Sequence, residues 1–365
     1  MLKLIKNIVR DLLAITWIRR LYDGANRVLL EVVGVSRILV HLWYAVPSFL
    51  TFNREQVATF RGRRDYYRRK SQPRESHVGL RRNVHRLEKA LIMRPRRAVF
   101  AADYIEETVE FYRAMSRRSL KGDDDFDRPE LEWARDVLAE YFSAITGQNA
   151  KVAAAQAAFA VQLAEEGGAA PSRELVPRAK RQLSSIDYQD MLALARQRRS
   201  VRWYEDRPVP RELFDQALMV AREAPTACNR LPYEFRIFDD PDMVQTVATM
   251  PFGTAGFAQG LRSVVVVVGK LSSYFSPRDR HAIYVDSSLA AMSFLFALES
   301  LGLSSTVINW PDLEPLEHSM QKLLGLDFSD RVVMLIAVGY ADPEGLVPYS
   351  QKKDLDTIRS FNRMV

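Results

Sequence analysis

Residues 263–269 read SVVVVVG, five consecutive valines closed by a glycine with no polar residue alternating among them. A strand with one wet face alternates apolar and polar positions, so this run predicts a strand covered on both faces. RVVMLIAVGYA at 331–341 predicts a second core strand, and EAPTACNRLPYEFRIF at 223–238 reads as a loop running into a third. SSTVINW at 304–310 is a short strand or extended loop. Between these lie helical patterns at 184–196, 211–222 and 284–301, and another, LEHSMQKLLGL, ended by Gly325. Helices alternating with a few strands, two of them continuous apolar runs, indicate an α+β or layered α/β domain.

The first half is of another kind. MLKLIKNIVRDLLAITWIRRL at 1–21 places Leu2, Ile5, Ile8, Val9, Leu12, Leu13 and Trp17 on one helical face, a basic amphipathic pattern able to lie on a membrane. Lys6, Arg10 and Asp11 interrupt the apolar run, which argues against a cleaved signal. VLLEVVGVSRILVHLWYAVPSFL at 28–50 carries Glu31, Arg37 and His41, costly inside a bilayer, so peripheral contact or burial against protein is expected. From 52 to 166 the chain reads as successive helices, and GGAAPSRELVP at 167–177 breaks the pattern. The expected parts are 1–50, a helical region at 51–183, and the α+β domain at 184–365.

Fourteen Lys or Arg stand between Arg61 and Arg97 against Asp65, Glu75 and Glu88, in a chain of net charge +7. No nucleic-acid motif accompanies this basic stretch, and a solvated helical face is an equal reading. A single cysteine, Cys228, excludes an internal disulfide framework and fits a reducing, cytoplasmic setting. His85 and Glu88 could meet on one helical face but complete no metal-ligand set, so no metal is expected. GxGxxG, GxxxxGK[ST], CxxC, GxSxG and HExxH are all missing, which removes the common dinucleotide, triphosphate, thiol, serine-hydrolase and zinc chemistries.

What remains is RQRRSVRWYEDRPVP at 196–210. Arg198, Arg199 and Arg202 around the hydroxyl of Ser200 make a compact set of forked donors for an anion. With it go APTACNRLP (224–232), DSSLAAMSFLFALESLGLSS (286–305), and VGYADPE (338–344) followed by Lys352 and Lys353. In order and separation these segments resemble the successive motifs of the nitroreductase family of FMN enzymes, over about residues 190–355.

The resemblance implies an α+β fold with a central mixed or antiparallel sheet flanked by helices, a homodimer, and FMN at the subunit interface. It implies that Arg198, Ser200 and Arg202 hold the ribityl phosphate, with Arg199 contacting the phosphate or flavin edge through its backbone and Lys352 or Lys353 closing the site. Pro225, Thr226 and Ala227 would lie beside the isoalloxazine of the partner subunit, with Asn229 ordering that loop, and Ile308, Asn309 and Trp310 would pass near flavin N5. NADH or NADPH would supply electrons in alternate half-reactions to a small-molecule acceptor. No side chain is assigned as a catalytic acid or base, since the cofactor carries hydride chemistry.

Three departures stand out: Ser293 where Asn is usual, Arg230-Leu231 where Gln precedes the proline, and Trp310 where glycine is common. NVHRLEKALIMRPRR at 83–97 is similar to a segment of long members associated with bacterial surface-polysaccharide loci, which suits an enzyme near the inner leaflet. The competing reading is a helical scaffold or membrane-surface interaction protein whose flavin domain binds flavin without turnover or has lost it.

Overall fold

The computed structural model describes residues 12, 15–46, 49–71, 77–122, 127–167, 175, 180 and 182–364. Its helices in chain order are α1 Thr16–Gly34, α2 Arg37–Ala45, α3 Phe49–Ser71, α4 Val78–Leu91, α5 Ile105–Leu120, α6 Arg128–Ala144 and α7 Ala150–Glu165. They continue as α8 Tyr188–Gln197, α9 Arg211–Ala221, α10 Pro241–Ala248, α11 Ala282–Ser300, α12 Glu314–Leu324 and the single turn α13 Leu355–Ile358. The strands are β1 Tyr233–Phe238, β2 Ser263–Lys270, β3 Ser304–Asn309 and β4 Asp330–Gly339.

The strand expected at 263–269 is β2, and Ser263 to Gly269 are all buried. It lies inside a sheet of order β1-β2-β4-β3, with antiparallel neighbours throughout. Phe214 of α9 and Phe294 and Leu298 of α11 pack with Val265, Val267, Ile336 and Val338. Each fully buried valine contributes at most about 1.5–3 kcal/mol, so the run explains why β2 is central. Pro277–Ser300 contains a window long and apolar enough to cross a membrane, but half of that window is buried in the protein.

α11 is apolar on its outer side as well as its inner one, and its buried side carries polar residues. Asp286 and Ser287 face inward, while Val285, Leu289 and Met292, spaced by four and three residues, are exposed. The helix leading into the arginine segment starts at Tyr188, later than the expected 184. Asp187 accepts from Asp190 N at 2.9 Å and Asp190 accepts from Asp187 N at 3.4 Å, a reciprocal cap that fixes the first turn there.

The chain divides into two compact units, Met1–Val57 with Asp312–His318, and Ala58–Pro311 with Ser319–Val365. In the first, α1 buries no residue, and Trp17, Leu21, Val28 and Val32 are exposed along it. Ser36 starts α2 by accepting from Ile38 N at 3.2 Å, which divides the apolar stretch of 28–50 into two helices. Arg54 lies 3.3 Å from Glu317 within this unit, both side chains buried. Most of the amphipathic helix expected at 1–21, and most of the break at 167–177, lie outside the described residues.

In the second unit α4, α5, α6 and α7 build their own core around Leu80, Val84, Val109, Tyr112, Leu138, Tyr141 and Phe159. The helical region also touches the sheet domain directly. A Cβ on Gly62 of α3 would lie 2.6 Å from Leu271 Cβ and 2.9 Å from its backbone, so only glycine permits this approach at the end of β2. Arg61 stacks on Phe328 at 4.1 Å, and Arg69 pairs with Asp327 at 3.4 Å. His85 and Glu88 form the expected structural pair at 3.2 Å, with Trp133 donating to Glu88 at 2.8 Å. No metal-binding cluster occurs among the described residues.

Candidate functional site

The arginine segment is an extended strip laid along the β3 edge of the sheet. Ser200 makes an isolated parallel bridge with Ser305, and Val201 N donates to Ser305 O at 3.1 Å. Downstream, Glu205 N donates to Tyr340 O at 2.9 Å, and the Tyr204 hydroxyl donates to Val201 O at 2.7 Å. A Cβ on Gly339 would stand 2.7 Å from the Tyr204 ring, so the glycine at the end of β4 lets this tyrosine lie flat on the strand. The strip is therefore held at Ser200–Val201 and at Tyr204–Glu205, with Arg202 between these points and Arg198 and Arg199 just ahead of the first.

Arg198, Arg199, Ser200 and Arg202 are half-buried. Arg198 and Arg202 make no ion pair among the described residues; Arg202 donates to Ser200 O at 3.3 Å and lies 5.9 Å from the Phe257 ring. Arg199 donates to the backbone oxygens of Pro348 and Tyr349, bringing the C-terminal tail to the strip. The Ser305 hydroxyl beside Ser200 is buried and has no partner. Two half-buried guanidiniums without counter-ions among the described residues and a hydroxyl without a partner are groups of the kind that can donate to an oxyanion. Lys352 and Lys353 follow the tail contact and are exposed.

The second group of expected residues is the loop at 224–232. Cys228, Asn229 and Leu231 have φ of 58°, 51° and 46°, a left-handed path that costs energy at non-glycine residues and needs fixed partners. Thr226 Oγ1 accepts from Leu231 N at 3.1 Å, and Asp286 accepts from Ala227 N at 2.9 Å. Tyr274 also donates to Asp286 at 2.9 Å, and Arg230 stacks on the Tyr274 ring at 4.8 Å. Burial raises the Asp286 carboxyl and the Tyr274 phenol above their ordinary ranges, while Ala227 N, Tyr274 and Arg230 favour the Asp286 carboxylate. Pro225 is exposed, and Thr226, Ala227, Cys228 and Asn229 are half-buried. Arg81 of α4 donates to Asn229 O at 3.1 Å, so the helical region takes part in ordering the loop.

The third group is the end of β3. Ile308 is buried, Asn309 exposed and Trp310 only 6% exposed, which continues the strand's alternation and seats the indole inside the protomer. Trp310 thus does not stand out from the surface. Ser293 back-bonds to Leu289 O at 3.2 Å within α11.

The strip and the loop sit at opposite ends of α11. Asp286 holds the loop near the N-terminus of that helix, and Ser305 follows its C-terminus; the 14 residue steps from Asp286 to Ser300 span about 21 Å at 1.5 Å per residue.

A sequence model described as the nitroreductase family matches residues 195–253 and 243–340. A protein of Archaeoglobus fulgidus named "Putative NADH dehydrogenase/NAD(P)H nitroreductase" is 30% identical over 160 residues, covering 43% of this chain and 88% of that protein. This chain belongs to the nitroreductase family. Human iodotyrosine deiodinase 1 is 24% identical over 216 residues, covering 52% of this chain and 71% of its own. An FMN-dependent nitroreductase of Clostridium difficile R20291 is similar in structure at a TM-score of 0.42 and 23% identity, over 48% of this chain and 100% of that one.

Within this nitroreductase-family domain the structure joins Arg198 to Arg202, Ser305 and the tail at one place, and Pro225 to Asn229 with Asp286 at another. Sequence reasoning missed Ser305, Tyr274, Arg230 and Arg81. Arg230 stood in the sequence as a departure from the family pattern, which was a signal; the contact of Arg81 had none.

Proposed function

We propose that the protein is an FMN-dependent NAD(P)H oxidoreductase that works as a homodimer. The observation that carries this reading is the pair of uncompensated guanidiniums, Arg198 and Arg202, on either side of Ser200. Those three residues would hold the cofactor's phosphate with Ser305, and Lys352 or Lys353 would add charge from the tail. When bound, the flavin supplies the hydride chemistry, accepting two electrons from the nicotinamide and passing them to an acceptor. The chain's residues bind and orient. The strained loop offers small side chains and fixed backbone groups to a planar ring, and β3 ends in the backbone of Asn309 and Trp310 beside it.

The distance along α11 supports the dimer. About 21 Å is farther than a ribityl phosphate chain reaches, so the strip of one protomer and the loop of the other would meet at one cofactor. The exposed Val285, Leu289 and Met292 stripe is the surface a second copy would cover, with tail residues such as Tyr349, 84% exposed, and Phe361. The nicotinamide-dependent names of relatives support the donor.

Cytoplasmic location with peripheral membrane contact through α1 and α2 is a further part of the proposal, resting on their exposed apolar side chains. The segment resembling members tied to polysaccharide loci makes a sugar-linked acceptor one to try first. Co-sedimentation with anionic vesicles, with and without residues 1–50, tests the membrane part; equal sedimentation of both forms rejects it. Arg198→Ala with Arg202→Ala should abolish retention of FMN while leaving the circular dichroism spectrum unchanged, and retention by this variant would reject the clamp.

A further inference from the structure

Beside the loop at 224–232 lies a cluster that neither the cofactor clamp nor the dimer surface uses. Arg82 of α4 and Arg278 place their guanidinium carbons 4.9 Å and 5.5 Å from the centre of the same ring, Phe275. Tyr66 of α3 lies 6.0 Å from that ring and is buried. Arg82 and Arg230 both oppose the rise that burial gives the Tyr66 phenol, so these two cations converge on it from different elements. Arg230 belongs to the loop itself, is 9% exposed, and its Nε has no hydrogen-bond partner.

Among the described residues the negative charges around this group are Asp279, Asp286 and Glu107. Asp279 lies 3.5 Å from Arg278, and Asp286, which faces Arg230, is also held by Ala227 N and the Tyr274 hydroxyl. Glu107 is engaged by Lys70 and by Asn83. The polar contact of Arg82 is a long one, 3.5 Å to its neighbour Asn83. A half-buried guanidinium and an exposed one beside the same aromatic ring, with a buried third on the neighbouring Tyr274 ring, supply forked donors of the kind a small anion takes. The first of these is fixed in place by the helical region: Arg81, the residue before Arg82, is bonded to Asn229 O and Glu130.

We propose that Arg82, Arg278 and Arg230 around Phe275 form an oxyanion subsite for the small molecule that visits the flavin, so that the helical region selects carboxylate- or phosphate-bearing reactants. This rests on the reading of the loop as a flavin-site element. The oxyanion can belong to the acceptor or to the phosphates of the nicotinamide donor, and the two are separable. Two electrons and a proton pass from NAD(P)H, and a second proton comes from solvent, to an acceptor whose anionic group is not itself changed; NAD(P)⁺ leaves. The subsite binds and takes no part in the transfer.

The test is equilibrium binding to the full-length protein as purified, with 4-nitrobenzoate, its neutral amide 4-nitrobenzamide, NADH and NADPH as probes. One charge-assisted bond corresponds to about a tenfold preference for the anion, and screening by salt should reduce it. The acceptor arm predicts that 4-nitrobenzoate binds about tenfold more tightly than the amide, and that Arg82→Gln and Arg278→Gln each remove most of that preference. The donor arm predicts instead an equal loss of NADH and NADPH affinity in both variants, with the two nitro compounds alike. Absence of a 4-nitrobenzoate preference in the wild type together with NADH and NADPH affinities unchanged in both variants, or a 4-nitrobenzoate preference that both variants keep, overturns the inference. Flavin content, read from the same samples, keeps the two readings apart: a protein without flavin that still prefers the anion retains the subsite and loses the enzyme assignment.

Discussion

Arg81 Nε lies 3.1 Å from the backbone oxygen of Asn229, and Arg81 Nη1 lies 2.9 Å from the buried carboxylate of Glu130. One guanidinium therefore ties α4, α6 and the strained loop together across 148 residues of sequence. Arg81→Met breaks both bonds and removes a cation beside Glu130. It should lower stability by about 2–4 kcal/mol in urea unfolding. Arg81→Lys should recover part of this, because one ammonium cannot span both acceptors. Flavin affinity should fall in both variants, more in the methionine, as read by fluorescence titration.

Asp286 is the other anchor of the loop. Asp286→Ala leaves Ala227 N–H and the Tyr274 hydroxyl without their acceptor and should cost about 2–4 kcal/mol of stability by chemical denaturation. Asp286→Asn keeps an oxygen in the same place, and its cost should be smaller. Proteolysis near residues 224–232 should quicken in the alanine variant.

Acid sensitivity is assigned to His77. Its ring is buried 4.2 Å from Phe111 and accepts from Leu80 N at 3.1 Å, and burial lowers its pKa to about 4 from 6.5. Between those values the unfolded chain binds a proton that the folded chain refuses. Stability should therefore be unaffected above pH 6.5, fall as pH drops towards 4, and lose about 3 kcal/mol over that window. His77→Asn keeps a cap acceptor without a titrating ring, so its stability should change less across the same window, measured by urea midpoints. Asp286 adds nothing to this loss: its carboxyl is raised, so it favours the fold as pH falls.

Gly339 is where the arginine strip meets the sheet. Gly339→Val would drive a branched side chain into the Tyr204 ring, since even a Cβ would lie 2.7 Å away. Overpacking of this kind costs about 1–3 kcal/mol, and here it should also displace Ser200 and weaken flavin binding more than a stability loss of that size accounts for. Thermal unfolding and flavin titration on the same sample separate the two effects.

The strands were legible because burial on both faces leaves a direct trace in SVVVVVG, and Arg198, Ser200 and Arg202 could be grouped because they are close in sequence. The start of α8 was misplaced by four residues, because the Asp187 and Asp190 cap competes with an apolar pattern that extends further back. Arg81, Tyr274 and Ser305 were invisible for a different reason: their roles depend on which distant backbone group they face, and no spacing encodes that. Asp286 was visible as a polar residue on an apolar helix, but only the fold shows that it points inward.

The most direct measurement of the central claim is the visible absorption spectrum of the purified protein after incubation with FMN and gel filtration, for the wild type and the Arg198→Ala, Arg202→Ala double variant. The account predicts oxidised-flavin bands that co-elute with a wild-type dimer at about one flavin per protomer and that are absent from a folded double variant. A wild-type protein that emerges without flavin, or a double variant that keeps it, would contradict the assignment.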